Sequence, residues 1–282
     1  MNPNHISSAV HRFSTMADLP FSAESYSKLK FGSDSVAHQF GYELAEHVFK
    51  EHSEILLANE CVVIPSPYNY VKNAATVMAQ HFISHLNNLM VHANGSHVEW
   101  SIIHRKVSYT NDYGFLPKEK RRALIDNDEF YLNKGFIEGK VLLFIDDVKI
   151  TGTHEDKLVQ ILEENALPNK ALFLYYAEHD YQGHSADIEA QLNFAGIKTT
   201  NDYLKLAMQP NHHLIVRPIK FLLSLEESEF VHVMTQSQPL WREQLYFACL
   251  GEGYYKIPSY QPNFQILKRQ VVDEHLLLPV AA

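Results

Sequence analysis

The sequence predicts an α/β protein: a doubly wound, mostly parallel sheet with helical covers at the N-terminal and C-terminal ends. Two observations carry this. Short apolar runs, CVVIP at 61–65, VLLFI at 141–145 and most of KALFLYYAE at 170–178, suit strands buried on both faces. Stretches with helical character stand between them, and strands alternating with helices at such intervals give a parallel sheet. The expected division is an N-terminal helical extension over 1–55, a core over 56–223 and a C-terminal helical extension over 224–282.

In order along the chain, Pro3, Pro20 and Gly32 punctuate the first segment. A helix is expected from about Asp34 to His52, because Val36, Phe40, Leu44, Val48 and Phe49 recur at helical spacing. It would cover the core or face a second copy in a homodimer. CVVIP ends on a proline and leads through the loop SPYNYVKNA, 66–74, into a helix running to about Asn88. HVEWSIIHR at 97–105 reads as another strand. A polar stretch follows, in which Pro117 suits the first turn of a helix through Ile125.

The strand at 141–145 runs directly into two carboxylates, Asp146 and Asp147. A turn from Val148 to Thr153 holds a single glycine, Gly152, and a helix starts behind it. Glu155 and Asp156 fall in its first turn, where carboxylates complement the dipole. A strand, loop and helix in this order present backbone N–H groups to a phosphate. Acids at a strand's carboxyl end stand where open α/β sheets bind ligands. KALFLYYAE is the next strand, a helix is expected from about Ser185 to Ala195, and HLIVRPIKFLL at 213–223 reads as a strand turning into a helix. The aromatic-rich tail, with Trp241, Tyr246, Phe247, Tyr254 and Tyr255, reads as helical cover over the sheet's end.

Composition narrows the function. The chain has 282 residues, 46% of them apolar, which is ordinary for a folded protein. No run of 18 apolar residues exists, so no membrane span is expected. The start lacks an apolar run behind a basic end, and the two cysteines, Cys61 and Cys249, stand far apart. A reduced, cytoplasmic protein is therefore expected. A net charge of −9 argues against general nucleic-acid binding. The 17 histidines include His179 with His184 and the pair His212-His213, but neither group has zinc-type spacing. A haloacid-type phosphatase needs a spacer between its acids, and a P-loop needs Gly-Lys-Ser/Thr; both are missing.

Ile145, Asp146, Asp147, Val148, Thr151, Gly152 and Thr153 together resemble the phosphoribosyl-pyrophosphate (PRPP) signature of the type I phosphoribosyltransferases. The resemblance implies that fold, with Asp146 and Asp147 holding the ribose hydroxyls and, through water, Mg2+. It implies a 5′-phosphate site from Lys149, Ile150, Thr151, Gly152, Thr153 and His154. Two of these depart from the pattern: Ile150 stands where a Thr is usual, and His154 where a small hydroxyl residue is usual. For the pyrophosphate it implies the loop after the first core strand, Ser66, Pro67, Tyr68, Asn69 and Tyr70. A closing loop in the next interval would add Arg105, Lys106, Tyr109 and Arg121, where the planar fork of Arg suits phosphate. Residues 60–225 look closer to the ComF-like (competence-protein-like) subgroup, including bacterial proteins of tellurite-resistance operons. PRPP and a nitrogenous base would then be the substrates. The alternative on the same fold is a regulatory module that binds PRPP or a nucleotide without turnover.

Overall fold

The computed structural model describes residues 4–105, 130–180 and 186–273. Lys106, Tyr109, Arg121 and the helix expected after Pro117 lie outside these residues.

Five strands form one parallel sheet. β1 is His5–Phe13, β2 Cys61–Pro65, β3 Glu99–Trp100, β6 Val141–Lys149 and β7 Ala171–His179. Their order is β1-β7-β6-β2-β3, so β6 is the middle strand, paired in parallel with β2 and β7. Its first five residues are all buried, as a strand covered on both faces requires. The short strands β4, His104–Arg105, and β5, Phe130–Tyr131, pair antiparallel beside the sheet.

Helices cover both faces. α1 (Ala23–Lys30), α2 (Asp34–Ala58) and α3 (Ala74–His92) pack with the odd-numbered core positions of β6, Val141, Leu143 and Ile145. α5 (Thr153–Glu164) contributes Leu162 to the opposite core, with Leu142 and Phe144, beside the short α4, Lys134–Ile137. Opposite burial of neighbouring residues follows from the period of two along a strand. The rest of the chain adds α6 (Ala186–Asn193), α7 (Thr200–Ala207), α8 (Val216–Leu223), α9 (Glu227–Gln236), α10 (Pro239–Gly251) and α11 (Gln261–Lys268). Most of their buried side chains form a separate helical core, which Phe31 and Val71 join from the body of the fold.

Three expectations change. The first segment is not all helix, because His5–Phe13 pairs along β7 as an edge strand. Its pattern, HISSAVHRF, is half-buried and polar, and an edge strand needs no continuous apolar run. Residues 213–223 form no strand: His213 to Ile215 carry the chain into α8, and Val216 N–H donates to Lys72 O at 3.1 Å. HVEWSIIHR divides into β3 and β4, which belong to different sheets. Elsewhere the elements outrun their expected ends. α2 continues past a non-helical residue, His52 (φ −130°), to Ala58, and β6 continues to Lys149. Asp146 and Asp147 therefore lie inside the strand. Among the described residues, no helix is long and apolar enough to cross a membrane.

Candidate active site at the carboxyl end of the central strand

The adjacent acids of β6 have different surroundings. Asp147 is 4% exposed. Its Oδ2 lies 2.5 Å from Lys30 Nζ of α1, and its Oδ1 accepts from Tyr26 OH at 3.3 Å and from Val148 N–H at 2.8 Å. Burial, with the Asp147 charge beside it, pushes the Tyr26 hydroxyl well above its ordinary pKa, so it remains a donor. Asp146 is on the other face, with its side chain 21% exposed. Its Oδ1 accepts from Asp147 N–H at 3.0 Å, and its Oδ2 lies 3.2 Å from His154 Nδ1. Burial pushes the Asp146 carboxyl up. The hydrogen bond and charge of His154 and the charge of Lys30 outweigh that, and hold it below the ordinary carboxylate value.

The turn after β6 is compact. Gly152 caps α5 in the left-handed region (φ 72°), a conformation that suits glycine. Thr153 is buried, and its hydroxyl lies 2.9 Å from that of Thr151. Asp156 N–H closes the first helical bond onto Gly152 O at 2.9 Å. The N–H groups of the first turn of a 12-residue helix therefore face the carboxyl edge of the sheet, with the positive end of the dipole behind them.

Two members of the expected phosphate set point elsewhere. Ile150 is 6% exposed, in the core under α2 and α3. Its side chain anchors the turn, and only its backbone remains for a ligand. Lys149 Nζ is 2.9 Å from Glu155 and 3.0 Å from Glu178, which also pairs with Arg12 of β1. Burial pulls the Lys149 ammonium down, but the hydrogen bonds it donates to the two glutamates, with their charges, outweigh this and raise the pKa. It is a fully charged lysine already held by two carboxylates.

Register brings the second loop alongside. Pro65 of β2 pairs with Ile145 of β6, and Ser66 N–H donates to Ile145 O at 2.8 Å. Ser66 thus starts one residue away from Asp146 across the sheet. Asn73 closes the loop: its Nδ2 donates to Ser66 O and Pro67 O at 3.1 and 3.2 Å, while its Oδ1 caps α3 at Thr76 N–H, 2.8 Å away. Tyr68 bridges in parallel to His104, which carries the loop toward β4 and Arg105. The C-terminal helices hold the far end. Glu252, 7% exposed, accepts from Tyr70 N–H at 2.9 Å and Val71 N–H at 2.7 Å through one oxygen. The Tyr70 ring packs so close on Gly251 that a Cβ there would stand 2.1 Å from it.

The structure therefore joins Asp146, the Thr151–His154 turn and the Ser66–Tyr70 loop at one edge. It turns Asp147, Lys149 and Ile150 inward. Sequence reasoning missed Tyr26, Lys30 and Glu252, since nothing in an isolated helix or tail marks a side chain that reaches across more than 100 positions. Of the two acids expected to meet Mg2+ through water, Asp146 keeps a partly exposed carboxylate, a hard oxygen donor of the kind that ion takes, whereas both oxygens of the buried Asp147 already accept from protein donors. Among the described residues, no group of three or more His, Cys, Asp or Glu is arranged to hold a metal by itself.

The family described as "PRTase ComF-like" matches residues 5–267 of the chain. No curated protein matches. Among solved structures, the chain is similar to a hypoxanthine phosphoribosyltransferase from Staphylococcus aureus, at 10% identity and a TM-score of 0.33, covering 54% of this chain and 85% of that one.

Proposed function

The chain belongs to the ComF-like phosphoribosyltransferase family, and from that premise we propose that it binds PRPP at the carboxyl end of β6 and transfers the phosphoribosyl group to a nitrogenous base. The observation that carries this is the adjacency of the two segments: the Ser66 N–H to Ile145 O bond starts the Ser66–Tyr70 loop beside Asp146, from which β6 leads into the turn to His154. A ligand with phosphate at one end and pyrophosphate at the other needs two such loops flanking its sugar.

In this reading the N–H groups at the start of α5 and the Thr151 hydroxyl hold the 5′-phosphate, with His154 beside them. Asp146 accepts from the ribose hydroxyls. Backbone and side-chain donors of Ser66 to Tyr70 hold the pyrophosphate, joined by Arg105, Lys106, Tyr109 and Arg121. The acceptor nitrogen attacks C1, the bond from C1 to the pyrophosphate oxygen breaks, and its electron pair leaves with the pyrophosphate. The chain's contribution is placement and charge, so the largest rate term is proximity plus electrostatic stabilisation of the leaving group. A bound Mg2+ supplies neutralisation of the pyrophosphate charge.

The test is pyrophosphate release from PRPP by the purified protein in Mg2+ against a panel of bases. Release with any base supports transfer. A second reading, PRPP or nucleotide binding without turnover, draws on the buried Ile150 and the ion-paired Lys149, which remove two side chains from the phosphate turn. Calorimetric binding of PRPP with no release by any base favours it. Absence of both binding and release rejects the phosphoribosyl site altogether.

A further inference from the structure

We infer that Lys30 is a positioning residue of this site: it fastens Asp147 to α1, so that of the two adjacent acids only Asp146 meets the ligand. The inference rests on the phosphoribosyl reading of the site and goes beyond it, since the sequence pattern offers both acids to the ribose.

Asp147 receives donors on both oxygens, Lys30 Nζ at 2.5 Å on one and Tyr26 OH and Val148 N–H on the other. The side chains of the ion pair are only 16% and 5% exposed. To reach a ribose hydroxyl, Asp147 would abandon all three donors and leave an ammonium buried without its partner, which is strongly unfavourable. Asp146 surrenders only its contact with His154, whose side chain is 47% exposed.

Lys30 cannot simply follow Asp147 outward, because α1 is held from behind. Ser27 Oγ donates to Asn193 O at 2.7 Å and accepts from Ile197 N–H at 3.2 Å. Just past α1, Gly32 O accepts from His213 N–H at 2.9 Å. Asp147 in turn orients its neighbour, as its own N–H donates to Asp146 Oδ1 at 3.0 Å. The path from Lys30 to the ligand thus runs through the Asp147 carboxylate, its peptide N–H and the Asp146 carboxylate.

The experiment uses the full chain and four variants, Lys30→Met, Lys30→Arg, Asp147→Asn and the double variant Lys30→Met/Asp147→Asn. PRPP affinity is measured by calorimetry in Mg2+, well below each melting temperature, beside thermal melts. Lys30→Met should weaken PRPP binding about three- to tenfold in folded protein, and Lys30→Arg should recover most of it. The double variant, which removes both charges together, should stay within about threefold of the parent. It should also melt above Lys30→Met. Unchanged affinity in folded Lys30→Met would reduce Lys30 to a structural role and overturn the inference. A loss of about tenfold or more in the double variant overturns it too, by making Asp147 a ligand contact. If the parent fails to bind PRPP, the phosphoribosyl reading falls, and the melts judge the fastening alone. Coupled melting effects of Lys30 and Asp147 uphold it, and additive ones remove it.

Discussion

The turn from Lys149 to Thr153 and the loop from Ser66 to Asn73 lie at the ends of adjacent strands, and they are held in different ways. The turn relies largely on near neighbours. Thr151 meets Thr153, Asp156 N–H meets Gly152 O, and His154 reaches back eight residues to Asp146. The loop has its own Asn73, but its ends are set from outside, by Ile145 O at one side and by Glu252 and Gly251 at the other. Glu252 stands 182 positions from Tyr70. The turn can thus form with its own helix, whereas the facing loop takes its shape only when the C-terminal helices have packed.

Glu252→Ala should break this contrast most severely. It leaves the Tyr70 and Val71 N–H groups without their charged acceptor, at a cost on the order of 2–4 kcal/mol. The expected signature is a lower melting temperature with faster amide exchange at Tyr70 and Val71, and unaltered exchange from Thr151 to Asp156. Equal acceleration in both segments would mean that the turn also depends on the C-terminal helices.

Asp146→Ala should act on the opposite side, on binding and not on the fold. Losing a charged acceptor for ribose hydroxyls removes about 1.5–3 kcal/mol, or roughly ten- to a hundredfold in PRPP affinity. Calorimetric titration in Mg2+ reads it; an unchanged affinity would take Asp146 out of the site.

Gly152→Ala should cost about 1–2 kcal/mol, because the left-handed φ of 72° strains any residue with a Cβ. Since the nearest atom to that Cβ would be Lys149 Cε at 3.4 Å, the penalty is conformational and not a clash. Urea melts of this variant should shift without any change of exchange at Tyr70.

The smallest effect is expected from Asn73→Ala, which removes the α3 cap at about 1 kcal/mol. The same change frees Ser66 O and Pro67 O, so PRPP affinity should fall together with stability. A pure stability loss would show that Asn73 serves the helix and not the loop.

Much of this site was legible in the sequence because its grammar is local. Five apolar residues, two acids, a single glycine and an acidic helix start lie within 16 positions, Val141 to Asp156, and each acts on neighbours through backbone geometry. The same locality identified β2, β7 and α3. Edge strand β1 was hidden because pairing with β7 supplies what its own half-polar pattern does not announce. The expected strand at 213–215 failed because an apolar run does not say whether a free strand edge awaits it. Tertiary structure alone decided which acid faces out. Adjacent residues of a strand begin on opposite faces, so the sequence offers Asp146 and Asp147 as equals. Lys30 and Tyr26, more than 100 positions earlier, then claim one of them. A buried carboxylate stays where its donors are, and only the folded chain places those donors.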